Sequence, residues 1–413
     1  MDIDNVSGPY NVIRLEGKIN KINKILYLFF DIHEQLEYQT ECKEIDATDI
    51  KTYLLNNFKE ASEKNKIIYD FFIEYHPIRD NYFKQTIGHK SGYIGEICKF
   101  IIHSYSYDND NVIREKNKIS DNLRIHYIDF RNIFISNKIQ DILFNLTSVC
   151  RDISQLFNAN ILLSIIDSLQ ILKSFLIYTY DTFLGEKQFS EKELTLLGYT
   201  MDMYKSTEHK LVKKIIGRYN NKNVKNKLGL IIKNEFNYEL IKHLNTLDKF
   251  ISTIENFLKI NNGLKDYDKI LYCLDTDMYT YGGIDLHKIN DIVNYINNEI
   301  CMEIDFTIRA AIIYVMDIYF LRRYLDKDYI TNGIAYTGGA HSINYIYLLV
   351  KYFDFKITNF SYVNTGFNMN LSDNIDIHDK IKQSNNYTEI AKYFSPSELY
   401  QCSNVSTFPK LFL

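Results

Sequence analysis

The sequence predicts an α/β protein, a mostly parallel sheet flanked by helices, with a large all-helical insertion before a Gly-x-x-His strand. Three observations carry this. Short, nearly continuous apolar runs rich in Ile, Tyr and Phe alternate with helical patterns in the first third of the chain. Such runs suit strands buried on both faces, as parallel sheets require. The middle of the chain has apolar residues at spacings of three and four, the mark of core-facing helices. A last strand and helix then follow, joined at Gly338-Gly339-Ala340-His341.

In order, residues 1–132 form the first part of the core. Its strands are Ile25–Phe30, Ile67–Ile73 and Leu123–Phe130. Between the first two lies a helical stripe, Ile50, Tyr53, Leu54 and Phe58, after a cap at Thr48. Between the last two lies another, Tyr93, Ile97, Phe100 and Ile101. Strand, helix, strand, helix, strand is a parallel-sheet signature with right-handed crossovers. Residues 133–327 form the helical insertion or cap, with stripes such as Leu162, Ile165, Ile166, Leu169, Leu172, Leu176 and Ile289, Ile292, Val293, Ile296, Ile300. Residues 328–365 return to the core, with strand Gly333–Thr337, a helix capped by Ser342 with the stripe Ile343, Ile346, Leu349, Val350, Phe353, and strand Phe355–Val363. Residues 366–413 read as a polar C-terminal extension with a short helix near Glu389–Phe394.

Composition narrows the function. The 413 residues are 46% apolar and 24% charged, which excludes disorder and fibrous repeats. Lys+Arg 48 against Asp+Glu 52 gives a net charge of −4, without a run of five like charges, so no nucleic-acid partner is expected. No membrane span is expected either. The best stretch, Ile161 to Tyr180, is interrupted by Asp167, Gln170 and Lys173. Met1 to Asn11 lacks the apolar region of a secretory signal. The six cysteines are scattered without a C-x-x-C pair and read as reduced thiols in an intracellular, cytoplasmic setting. Abundant Ile, Asn, Lys, Tyr and Phe beside absent Trp and scarce Pro suggest an AT-rich gene, as in large DNA viruses or some eukaryotes.

Open parallel sheets bind ligands outside the carboxyl ends of their strands. Here those ends read Phe30-Asp31-Ile32-His33-Glu34, Glu74-Tyr75-His76, Asp129-Phe130-Arg131 and Gly338-Gly339-Ala340-His341. Taken singly, each is a polar residue where a loop begins. Taken together, every parallel strand ends in a residue type suited to hydrolysis. His33, Glu74 and His341 supply two imidazoles and a carboxylate, a ligand set for a divalent ion such as Zn, Mn or Co. Without a metal, one His serves as general base on water, with a carboxylate orienting it. Arg131 completes the catalytic set by stabilising negative charge. Asp31, Asp129, Gly338 and Gly339 line the substrate side, the glycines by letting backbone approach a ligand closely.

The order strand–His, strand–Glu, strand–Asp-x-Arg, helical region, strand–Gly-x-x-His resembles the superfamily joining TraB/TIKI proteases, erythromycin-esterase-like hydrolases and haem-binding ChaN proteins. The resemblance covers somewhat under half of the chain. It implies hydrolysis of an amide or ester in a small molecule or peptide, metal-dependent in the TIKI-like members, with His33, Glu74 and His341 at the motif positions. Phe30 stands where the family's first motif usually has Gly, which points alternatively to a catalytically inactive ligand-binding or interaction protein on the same scaffold. A third alternative, from composition alone, is a structural or virion-associated protein.

Other signals are weaker. Gly88-His89-Lys90-Ser91-Gly92 lacks phosphate-loop spacing and reads as a turn. His126, alternating with apolar residues inside a strand, reads as packed core. Asp317 and Arg322, near the end of a long helix, read as a structural pair.

Overall fold

The computed structural model describes residues 5–413 apart from 35–41, 44–45, 76–91, 108–112, 116–119, 130–134, 185–188, 201–217, 261–279, 282–283, 365–373 and 399. The chain divides into two compact units, one of Met1–Phe130, Asn220–Leu228 and Met316–Leu413, the other of Arg131–Tyr219 and Gly229–Val315.

The strands used below are β1 (Asn5–Ser7), β2 (Asn11–Ile19), β3 (Ile22–Asp31), β4 (Thr48–Asp49), β5 (Tyr69–Ile73), β6 (Leu123–Tyr127), β7 (Asn332–Gly338), β8 (Lys356–Phe360) and β9 (Cys402–Asn404). The helices are α1 (Ile50–Lys64), α2 (Tyr93–Ser104), α3 (Asn137–Arg151), α4 (Ala159–Leu184), α5 (Asn237–Ile260), α6 (Cys301–Asp326), α7 (Gly339–Phe353), α8 (Asn374–Gln383) and α9 (Tyr387–Phe394).

Six strands form the central sheet in the order β8-β2-β3-β7-β5-β6. The run β3-β7-β5-β6 is parallel, as the continuous apolar runs predict. Beyond it, β2 and β8 add antiparallel strands; β8 falls within the expected strand Phe355–Val363, whereas β2 is not expected from the sequence. The strand β2 carries Arg14, Glu16 and Lys18 and so lacks a continuous apolar run. Its signal was the two-residue turn Asn20-Lys21, both at positive φ, which closes a tight hairpin onto β3.

On one face of the sheet, Tyr27, Phe29, Phe71, Ile73 and Tyr336 pack against Leu54, Phe58, Ile97 and Ile101 of α1 and α2. On the other face, Phe72 meets Phe320 of α6 edge-on, and Phe320 stacks on Tyr345 of α7. The expected C-terminal extension is instead part of this unit. Phe394 and Ile381 are fully buried. Phe412 inserts among the rings of Tyr27, Phe29, Tyr53, Phe58 and Tyr69. Apolar residues spaced through a polar segment are easily read as loop, and tertiary packing decides otherwise.

Two caps differ from expectation. Asp49, not Thr48, caps α1, its side chain accepting from Thr52 N. α7 starts at Gly339 without a side-chain cap, and Ser342 is buried, its hydroxyl hydrogen-bonded to that of Thr337 at 2.8 Å. The six cysteines are not all thiols: Cys42 and Cys402 form a disulfide across 360 positions of sequence, whereas Cys98, Cys150 and Cys301 are thiols. Scattered spacing hid this pair, because partners so distant are joined only by the fold. With it goes the ground for a reducing compartment.

The second unit is helical. In α4 the stripe Leu162, Ile165, Leu169, Leu172 and Leu176 is buried, and the helix packs on α5 and α3. Among the described residues one stretch, Ala159–Thr182 in this helix, is long and apolar enough by composition to cross a membrane; 44% of it is buried inside the fold.

Candidate active site

Register brings the site together. In the parallel sheet Gly338 lies opposite Asp31, and Tyr336 opposite Ile73. The carboxyl ends of β3, β7 and β5 therefore finish level. Glu74, one residue past β5, donates its backbone N–H to Tyr336 O at 3.2 Å. Two positions beyond β3, His33 adopts φ 63°, a left-handed conformation costly for a residue with a Cβ. Asp31 holds it there: the same carboxyl oxygen, Oδ2, accepts from the His33 backbone N at 3.0 Å and bonds ring Nδ1 at 2.6 Å. The other oxygen of Asp31 accepts from Tyr336 OH at 2.8 Å.

From there the groups form a chain. His33 Nε2 meets Glu74 Oε2 at 3.1 Å, and that oxygen also accepts the Gly338 N–H at 2.8 Å. Glu74 Oε1 lies 3.4 Å from His341 Nε2. His341 Nδ1 bonds Asp317 Oδ1 at 2.6 Å, and Asn344 Nδ2 donates to Asp317 Oδ2 at 2.6 Å. The sequence Asp31–His33–Glu74–His341–Asp317 thus alternates carboxyl and imidazole across four chain segments. It is open at one end: the His33 side chain is 40% exposed, whereas His341 is 5% and Glu74 2%.

Electrostatics follow from this alternation. Burial alone favours neutral imidazoles, but the Glu74 charge and the hydrogen bonds of Asp31 and Glu74 overcome it and push His33 up to about 9. For His341, burial is likewise outweighed by the charges of Glu74 and Asp317, and its pKa rises to about 10. Burial disfavours the Glu74 carboxylate, yet the two imidazolium neighbours hold its pKa well below the usual range. Asp317 is shifted upward, because burial there exceeds the help from His341. Tyr345, beneath it, is raised far above the ordinary phenol by burial and by the charges of Asp317, Glu74 and Asp129.

The expected residues distribute as follows. His33, Glu74 and His341 come together. Asp31 is 2% exposed and holds His33 in place of facing a ligand. Asp129 is buried just past β6, within electrostatic reach of Tyr345. Gly338 does permit a close approach, but by the site's own groups: a Cβ there would lie 2.7 Å from His33 Nε2. At Gly339 a Cβ would overlap the Tyr10 hydroxyl. Arg131, His76 and residues 88–91 lie outside the described residues. Phe30 is fully buried edge-on to Tyr10, a core contact. Asp317, expected to pair with Arg322, turns to His341 instead; its residue type on an apolar helix was the available signal. His126 stacks on Phe72 at 4.6 Å, as a packed histidine should, and also bonds Asp70 at 2.7 Å.

A metal reading fits these contacts less well. Each histidine spends Nε2 on a different oxygen of Glu74, and Glu74 Oε2 is further occupied by Gly338 N–H. Among the described residues no three His, Cys, Asp or Glu side chains are arranged to hold an ion. Two imidazoles, each held at Nδ1 by a carboxyl, share one central carboxylate.

Fold and site together define an α/β protein with a histidine–carboxylate chain at the carboxyl ends of its parallel strands. Residues 4–413 match the model of a family of unknown function, DUF5847, and the chain belongs to that family. It is 33% identical over 430 residues to uncharacterized protein R706 of Acanthamoeba polyphaga mimivirus, covering 98% of this chain and 96% of that one. Uncharacterized proteins R161 and R160 of the same virus are 32% and 31% identical over 451 and 462 residues, covering 100% of this chain and 98% of each. These relatives are viral, one of the sources the composition suggests. No solved structure matches the chain.

Proposed function

We propose that the chain is a hydrolase of amide or ester bonds in a small molecule or peptide, working through His33, Glu74 and His341. The observation that supports it is the five-group chain, buried at Asp317 and open to solvent at His33. In this reading the half-exposed His33 ring, once deprotonated, exchanges its Nε2 contact with Glu74 for the attacking water and takes that water's proton, with Asp31 fixing the ring at Nδ1 as the orienting carboxyl does in a catalytic triad. Glu74 stabilises the imidazolium so formed, His341 holds the other oxygen of Glu74, and Asp317, itself held by Asn344, fixes His341. The resemblance to erythromycin-esterase-like hydrolases points the same way.

The test is turnover of a panel of aryl esters and aryl amides by purified protein, with His33→Ala and His341→Ala checked for retained fold by circular dichroism. Loss of turnover in both variants supports the reading. Turnover absent in the parent protein, or unchanged in the variants, refutes it.

A second reading, ligand binding without hydrolysis, is favoured by one observation: all four ring nitrogens already face a carboxyl group and both pKa values lie above 7. A thermal shift with candidate acyl compounds and no turnover selects it. Mass spectrometry of purified particles tests the third, virion-associated reading, which the viral relatives fit.

A further inference from the structure

The Cys42–Cys402 disulfide ties the chain at Cys42 to the start of β9. Along the chain, Cys42 comes nine positions after His33. Cys402 opens β9 and lies opposite Ser7 of β1, whose other edge carries β4. Three bonds extend this seam: Gly8 N to Gln401 O at 2.9 Å, Gln401 Nε2 to Gly8 O at 3.1 Å, and Ser403 Oγ to Pro9 O at 2.8 Å. The next residue, Tyr10, donates its N–H to Phe30 O at 3.0 Å, beside Asp31. Its hydroxyl is seated on Gly339, immediately after the Gly338 N–H that binds Glu74. Contacts are therefore continuous from Cys402 through β1 and Tyr10 to the glycine pair. Both cysteines of the pair are half-buried, within reach of a small dithiol, whereas Cys98 and Cys150 are buried thiols.

We propose that the Cys42–Cys402 disulfide is a redox latch on the rim site: closed, it ties the chain at Cys42 to β9 and so steadies the β9–β1 seam that leads through Tyr10 to Gly339; opened by a dithiol, it loosens that seam. A dithiol thiolate attacks one sulfur and forms a mixed disulfide, which its second thiolate resolves. Two electrons and two protons pass from the dithiol to Cys42 and Cys402, and the dithiol leaves as its own disulfide. As regulation of turnover the latch rests on the hydrolase reading; as a structural device it does not.

The experiment is amide hydrogen exchange on the full chain, oxidised and after dithiothreitol, with Cys402→Ser as a permanently open form and Cys98→Ser as a control. Opening is expected to raise exchange at least tenfold at Tyr10 and Gly338, leave the β5 amides unchanged, and reverse on reoxidation of the parent but not of Cys402→Ser. Unchanged exchange at Gly338 overturns the latch, and so does an equal rise at every amide, which marks a global staple. Absent turnover in the oxidised protein, with Gly338 still responding to redox state, fails the hydrolase reading alone.

Discussion

Replacing Gly338 with alanine adds one methyl group at the tightest point of the site. The backbone there, φ −55° and ψ 150°, suits alanine, so the effect is steric. An ideal Cβ lies 2.7 Å from His33 Nε2 and 3.4 Å from Glu74 Oε2. Ordinary contact begins at 3.4 Å, so one side must withdraw by 3.4 − 2.7 = 0.7 Å. Gly338 is fixed by its pairing with Asp31 of β3 and by its N–H bond to Glu74, and Glu74 is buried, which leaves the half-exposed His33 ring to move. Its bond to Glu74, already 3.1 Å, opens toward about 3.8 Å, past hydrogen-bonding range. A charge-assisted hydrogen bond contributes about 1.5–3 kcal/mol, and the ring's exposure puts this one near or below the low end. At about 1.4 kcal/mol per pH unit, the His33 pKa falls by about one, from its value of about 9. The assay is NMR titration of the ring in Gly338→Ala and the parent. At the alkaline plateau, where the ring is neutral in both proteins, displacement of this size also predicts a loss of kcat/KM of roughly tenfold to hundredfold. An unchanged titration with unchanged activity refutes the reasoning, since the ring would then owe nothing to the space that glycine leaves.

Three further outcomes are expected. With a pKa of about 9, His33 is mostly imidazolium at neutral pH, so turnover that uses it as a base climbs about tenfold per pH unit from pH 7 and levels near 9. A profile falling over that range would instead make His33 an acid. Because both histidine values are raised in the folded state, the stability they contribute is complete below about 6.5 and is lost as pH rises through about 9 and 10; thermal melts across that window measure it. Phe412→Ala removes a 1% exposed ring packed among five others, and denaturant melts should show a loss of about 3–5 kcal/mol.

The parallel half of the sheet was legible because its strands are apolar on both faces, and its carboxyl ends point to His33, Glu74 and His341 by a rule independent of strand order. Strand β2 was not, since Arg14, Glu16 and Lys18 break the apolar run and only pairing with β3 and β8 makes it a strand. Asp317 escaped for a related reason. Its partners His341 and Asn344 lie on another helix, so no local spacing announces them, whereas Arg322 on its own helix offered a nearer and misleading partner. The disulfide shows the same limit, because two half-cystines so far apart carry no pattern until the fold joins them.

The position of β7 also bears on how the chain acquires its shape. This strand lies between β3 and β5, yet it is separated from them by the whole of the second unit. Until Asn332–Gly338 arrives, two strands made early must keep one edge each without a neighbour, and unpaired edges invite association with other chains. Contacts of such long sequence separation form slowly. Assembly of the sheet therefore waits on the last third of the molecule, and the residues that would do chemistry meet only as that closing strand slides home.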